Sequence, residues 1–76
     1  MDLTKLQLKR EAMRHPQDGH ILSRRDLADA SGTTARSIEN WEKRGSRCAS
    51  LAVRQALAHS LNVSVNVLFD KEGWAK

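Results

Sequence analysis

The feature that most constrains this chain is a pattern of five residues between positions 24 and 43. Leu27 and Ala28 lie on the inner side of one short helical segment. Ile38 and Trp41 are three residues apart and share one face of a second segment. Gly32 stands between the segments and can adopt the left-handed backbone conformation that reverses a chain. The pattern therefore predicts two short helices joined by a tight turn.

An amphipathic first helix is predicted over residues 2–14, with apolar residues recurring at intervals of three and seven. Asp2 would complement the dipole at its start. The His15-Pro16 step and the turn-forming residues 17–19 would end it. Its inward residues would be Leu3, Leu6 and Met13, with the cations Lys5, Lys9, Arg10 and Arg14 between them.

Hydroxyl side chains mark the starts of the next three helices. Ser23 is the expected cap of the second helix, Thr33 or Thr34 of the third, and Ser50 of the fourth. Ile21 and Leu22 would tuck the loop before the second helix against the core. The inner side of the fourth helix would hold Leu51, Leu57, Ala58 and Leu61.

Arg54 falls on that inner side of the fourth helix. Either its stem lies along the core while its head escapes, or it pairs with an inward acid such as Glu42.

Residues 61–69 alternate between apolar and polar side chains, which is strand periodicity. Ser64 could instead cap a short helix with Val65, Leu68 and Phe69 on one face. We predict the helix because a lone strand would lack a partner, unless it paired across a dimer. The expected fold is all-α, a compact bundle of four to five short helices in one domain, residues 1–69, with residues 70–76 as a C-terminal tail.

Thirteen Lys and Arg against nine Asp and Glu give a net charge of +4, which favours a polyanionic partner.

The lone Cys48 excludes a disulfide within the chain, and no apolar run approaches the roughly 20 residues that span a bilayer. Residues 1–15 are charged and amphipathic, unlike a secretory signal. We expect a cytoplasmic, nucleoid-associated protein.

The order of elements over residues 23–69 resembles the Cro/repressor family of helix-turn-helix proteins, also called the Xre family. The triplets GTT (residues 32–34) and SIE (residues 37–39) are similar to lambdoid phage repressors, and Glu42 is the acid common after the motif. The resemblance implies a lambda-repressor-like DNA-binding fold. Departures are Arg24 in place of a Gln that braces the two helices, Ser31 in place of an apolar residue, Cys48 in place of Pro, and a longer first loop.

The resemblance also implies that the second helix of the motif, about residues 34–43, enters the major groove of double-stranded DNA. Arginine forks suit guanine, asparagine amides suit adenine, and methyl groups suit thymine. The implied base-reading residues are Thr34, Ala35, Arg36 and Asn40, and the implied DNA-backbone residues are Arg24, Arg25, Ser37, Lys43, Arg44 and Arg47. In the competing interpretation Arg36 is a solvated side chain bonded to Asn40, and Glu39 is a surface residue or a brace for an arginine.

The predicted function is sequence-specific DNA binding by a transcriptional regulator of a prokaryote or phage, expected to be a repressor. A two-fold operator-like site and a homodimer would fit this class. The alternative is a helical protein-interaction module, antitoxin-like or phage-encoded, for which Trp74 and residues 61–69 would supply the contact surface.

We expect no enzyme, cofactor, small-molecule substrate or membrane partner, because the domain is too small for a proper pocket and has no Gly-rich phosphate loop. We also expect no metal site, since its possible ligands are far apart in sequence. Those ligands are His15, His20, His59 and Cys48.

Overall fold

The chain forms five helices, and the computed structural model describes residues 3–14 and 19–76. The predicted Asp2 helix start and the His15-Pro16 turn lie outside the described residues. The predicted all-α bundle with a helix-turn-helix is confirmed. The helices are α1 (Lys5–Ala12), α2 (Arg24–Ser31), α3 (Ala35–Glu42), α4 (Leu51–Ser60) and α5 (Val65–Leu68).

Side-chain caps begin the first four helices. The hydroxyls of Ser23, Thr34 and Ser50 accept hydrogen bonds from backbone N–H groups three residues ahead, which confirms those predictions. Thr4 does the same for α1, so this helix begins at Lys5 and is shorter than predicted. At the end of α2, Gly32 has a φ of 72°, the left-handed conformation that the turn requires.

The core forms where α2 packs against α3 and α4, with α5 closing against α4 and α1. Residues 65–68 are helical, so the strand alternative is wrong there, although Ser64 makes no side-chain cap. Trp41 and Val65 are partly buried and pack against the core. The fully covered apolar residues include the predicted Leu6, Leu27, Ala28, Ile38, Leu57, Ala58, Leu61, Leu68 and Phe69.

Three apolar residues predicted to face inward are instead exposed: Leu3 by 45%, Ile21 by 48% and Leu51 by 54%. Leu3 precedes the cap of α1, and Leu51 is the first residue of α4, so neither lies over a neighbouring helix. Ile21 belongs to an extended bridge with Arg14, in which successive side chains point to opposite sides. Its neighbour Leu22 packs against the core.

The prediction for α1 is also wrong at Arg10. This side chain was expected on the exposed cationic face of the helix, but it is buried. Leu6 and Arg10 are four residues apart and so share one face of the helix. This face of α1 therefore carries a charge into the interior.

Residues 70–76, predicted to be a tail, fold back onto the helices as a turn. Phe69 and Ala75 form an antiparallel bridge. The carbonyl oxygen of Lys76 accepts a hydrogen bond from the backbone N–H of Lys5. The backbone N–H of Lys76 donates to the carbonyl oxygen of Leu68. Trp74 is 36% exposed.

No helix within residues 3–14 and 19–76 is long and apolar enough to cross a membrane.

Candidate nucleic-acid interface

The exposed side of α3 carries the residues predicted to read bases. Arg36 and Asn40, one helical turn apart, are exposed, while Ile38 is fully buried between them on the other face. Arg36 and Asn40 make no hydrogen bond to each other, so the pairing weighed in the competing interpretation is absent, although Arg36 is exposed as that interpretation also required. Neither side chain has a hydrogen-bond partner among the residues that the structure describes.

Thr34 and Ser37 are bonded to each other at the start of α3. The Thr34 hydroxyl accepts a hydrogen bond from the Ser37 N–H at 3.1 Å and donates to Ser37 Oγ at 2.9 Å. Thr34 is exposed and Ala35 is partly buried. The Thr34 hydroxyl therefore fixes the helix start, and its methyl group is the part left for an apolar contact.

Glu42, at the end of α3, is the buried centre of an ion-pair cluster made of Arg10, Arg24, Glu39 and Glu42. Arg10 Nε donates to Glu42 Oε2 at 2.7 Å, and Arg24 Nε donates to Glu42 Oε1 at 2.8 Å. Arg24 Nη1 also donates to Glu39 Oε2 at 3.1 Å. The cluster joins α1, α2 and α3 through one carboxylate.

The sequence predicted Arg24 as a DNA-backbone residue. In the structure its Nε and Nη1 groups are bonded to the acids of α3, and only Nη2 has no partner among the described residues. Arg24 thus supplies the link between α2 and α3 that the family's Gln would make. Of the two roles considered for Glu39, a surface residue or a brace for an arginine, the structure shows the second, because its carboxylate accepts a hydrogen bond from Arg24.

Sequence reasoning missed Arg10 as the second partner of Glu42. The signal was present in the spacing, because Arg10 follows the buried Leu6 by four residues. Cationic side chains are so often solvated that the spacing alone did not decide the matter.

The remaining predicted phosphate contacts fall at two places. Arg25, at the start of α2, is exposed and has no partner among the described residues. Lys43 follows α3 and lies 3.9 Å from the Glu39 carboxylate. Arg44 Nε donates to the Ala75 carbonyl at 3.0 Å, and Arg47 Nη1 donates to the Glu72 carbonyl at 2.9 Å.

Two departures from the family pattern are explained by contacts with α4 and its preceding loop. The Oγ atoms of Ser31 and Ser60 lie 3.4 Å apart, which gives the buried Ser31 a partner across α2 and α4. Cys48 is fully buried, and this burial raises the pKa of its thiol above the usual 9.0. Arg54 does not pair with Glu42, which binds Arg10 and Arg24 instead. Its Nη2 donates to the Ala49 carbonyl, but its Nε is buried without a hydrogen-bond partner among the described residues, so only part of the head escapes the core.

The described residues hold no group of three or more His, Cys, Asp or Glu side chains that could bind a metal ion. His15, one of the residues weighed for such a site, lies outside the described ranges.

A glycine turn between two short helices, with a polar face exposed on the second, defines a helix-turn-helix protein. A family model described as helix-turn-helix matches residues 19–68, and the chain belongs to this family, which is of the Cro/C1 (Xre) type. It is therefore a DNA-binding transcription regulator in general class, and the family is generally non-enzymatic. No curated protein and no solved structure matches the chain.

Proposed function

We propose that this protein is a sequence-specific repressor that reads double-stranded DNA with α3 in the major groove. The observation that carries the proposal is the pair Arg36 and Asn40, which are exposed and have no side-chain partner within residues 3–14 and 19–76, on a helix whose other face is anchored by the buried Ile38. Arg36 would bond the O6 and N7 of a guanine, and Asn40 the N6 and N7 of an adenine. The methyl groups of Thr34 and Ala35 would contact thymine.

Phosphate contacts would set the register of α3 on the duplex. Arg25 and Lys43 lie at the outer ends of the motif, and Arg44 and Arg47 follow in the loop before α4. Ser37 would add a hydroxyl contact. Arg24 would reach phosphate only with its free Nη2 group, so we assign it mainly to holding α2 against α3.

The operator we propose is two-fold symmetric, with half-sites about one helical turn apart, bound by a homodimer in the cytoplasm. The competing idea of a protein-interaction module keeps only part of its proposed surface. Leu61, Leu68 and Phe69 are buried in the core, whereas Val67 and Trp74 remain exposed by 37% and 36%.

Selection from a random duplex library tests the proposal. We expect one enriched motif, with binding that weakens as salt rises by a log-log slope of about −3 to −4 per subunit for these four cationic contacts. Equal binding to all duplexes would contradict sequence reading. Weak salt dependence would favour a protein partner instead.

A further inference from the structure

The last seven residues bond to the loop that leaves α3. We call this arrangement the clasp: residues 70–76 as the turn, and residues 44–48 as the basic loop it holds. Gly73 accepts a hydrogen bond from the Cys48 N–H at 2.9 Å, and the two arginines of the loop donate to the carbonyls of Glu72 and Ala75. The contact is close, since a Cβ atom at Gly73 would overlap the Cys48 carbonyl group.

The turn is held by one carboxylate. Asp70 Oδ1 accepts hydrogen bonds from the backbone N–H groups of Glu72, Gly73 and Trp74, at 2.9 to 3.0 Å. The bond from Trp74 contributes most to keeping the pKa of Asp70 below its usual value. Gly73 has a φ of +100°, which other residues rarely adopt.

Arg44 has an unusual backbone for its position. The N–H of Gly45 donates to Asn40 and that of Arg44 donates to Trp41, which is the hydrogen-bond pattern that closes a helix around a left-handed residue. That residue is usually glycine, yet Arg44 occupies it with a φ of 57°. The Arg44 side chain donates from Nε to the Ala75 carbonyl, a bond that a glycine at this position could not make.

We propose that the clasp positions Arg44 and Arg47 for phosphate contact and so makes the C-terminal turn part of the DNA-binding apparatus. The clasp uses one nitrogen of each guanidinium and leaves other N–H donors of its fork for a phosphate. Side chains ordered before binding lose less conformational freedom when they bind. The proposal rests on the phosphate roles given to both arginines above.

Two variants loosen the clasp without touching either arginine. Asp70→Ala removes the acceptor that holds the turn, and Glu72→Ala is its control, because it removes the same charge from the same turn but keeps the backbone carbonyl. Gly73→Ala places a methyl group against Cys48, and Gly19→Ala is its control. Gly19 also has a positive φ, but a Cβ there meets nothing within 4 Å.

The dissociation constant on the selected duplex and on a scrambled duplex is the measurement, with exchange of the Cys48 amide as the monitor of the clasp. We expect Asp70→Ala and Gly73→Ala to speed that exchange and to weaken both duplexes about tenfold relative to their controls, since two long side chains must then be ordered on binding. In an Arg44→Ala/Arg47→Ala background, Asp70→Ala should cause no further loss of affinity.

The proposal is overturned if the Cys48 amide exchanges faster while affinity stays at the control value, or if the amide stays protected in both variants. It is also overturned if the loss persists without the two arginines, which would make the turn a general support of the fold. A wild-type protein that binds no duplex refutes the proposed function itself, and this inference with it.

Discussion

At the scale of single residues, Glu42 is a carboxylate placed where acids are rarely found. Its side chain is 0% exposed and accepts hydrogen bonds from the guanidinium groups of Arg10 and Arg24. Burying a charge is costly unless it is paired and hydrogen-bonded, and here both conditions are met. The acid after the helix-turn-helix motif therefore serves the interior of the domain.

Replacing Glu42 with Gln should lower the free energy of unfolding by about 3 kcal/mol, because the buried Arg10 would keep only the longer ion pair with the exposed Glu11. Urea denaturation followed by circular dichroism measures this. Glu39→Gln is the matched control, since the Glu39 side chain is 42% exposed and its loss should cost less than about 1 kcal/mol. Equal losses from the two variants would show that burial of the pair is not what matters.

Cys48 provides a second prediction at this scale. Its buried thiol has a raised pKa, so the native protein should react slowly with thiol reagents while the urea-unfolded protein reacts fast. The raised pKa also means that the unfolded chain loses this proton more readily. The stability of the wild type relative to Cys48→Ala should therefore fall as the pH rises above 9.0. A difference independent of pH would contradict the assignment.

At the scale of elements, the angle between α2 and α3 depends on two kinds of contact. Leu27 and Ile38 pack in the core between the helices, and Arg24 bonds Glu39 and Glu42 across them. The apolar contacts were predictable from spacing alone. The ionic contact was not, because sequence spacing does not show which acid lies opposite an arginine of another helix.

Arg24→Ala should lower the free energy of unfolding by about 1 to 2 kcal/mol, since charged hydrogen bonds to both acids are lost while Arg10 still covers Glu42. The side chain of its neighbour Arg25 makes no hydrogen bond or ion pair with the described residues, so Arg25→Ala should stay within about 0.5 kcal/mol of the wild type. Thermal unfolding of the two variants side by side decides the point. A null effect of Arg24→Ala would return this residue to the class of plain phosphate contacts.

Helix starts and the reversal at Gly32 were predictable because each depends on residues a few positions apart. Ser23, Thr34 and Ser50 bond their own helices, and nothing distant competes. The inner face of α1 was harder, because Arg10 is buried only where Glu42 comes to meet it. The burial of Arg10 in α1 depends on Glu42, a partner 32 residues further along the chain.

At the scale of the whole molecule, the C-terminal turn departs most from the sequence prediction, because residues 70–76 were expected to form a tail and instead pack against the helices. Asp70 and Gly73 are ordinary turn residues, and the sequence gives no sign of where such a turn packs. Its position follows from contacts between residues far apart in sequence, with the Cys48 backbone and the arginines of the basic loop. The roles of the DNA-facing residues stay predictions that binding measurements must test.

The turn should respond to acid. Backbone hydrogen bonds, that from Trp74 first, hold the pKa of Asp70 below its usual 3.8. The stabilisation from these bonds is therefore present above that pH and is lost as the pH falls through the lowered pKa. The difference in stability between the wild type and Asp70→Asn should shrink along the same range. A difference that persists unchanged in acid would contradict the role of the carboxylate.

The central claim is that the exposed face of α3 reads bases while the cations around it bind phosphate. It is tested most directly by measuring Arg36→Ala and Arg25→Ala against a panel of duplexes that differ from the selected site by one base pair. Arg36→Ala should cost about 1 to 3 kcal/mol and remove the preference at one base position. Arg25→Ala should weaken every duplex alike and reduce the salt slope by about 1. A uniform loss from Arg36→Ala, with every base preference intact, would contradict the claim.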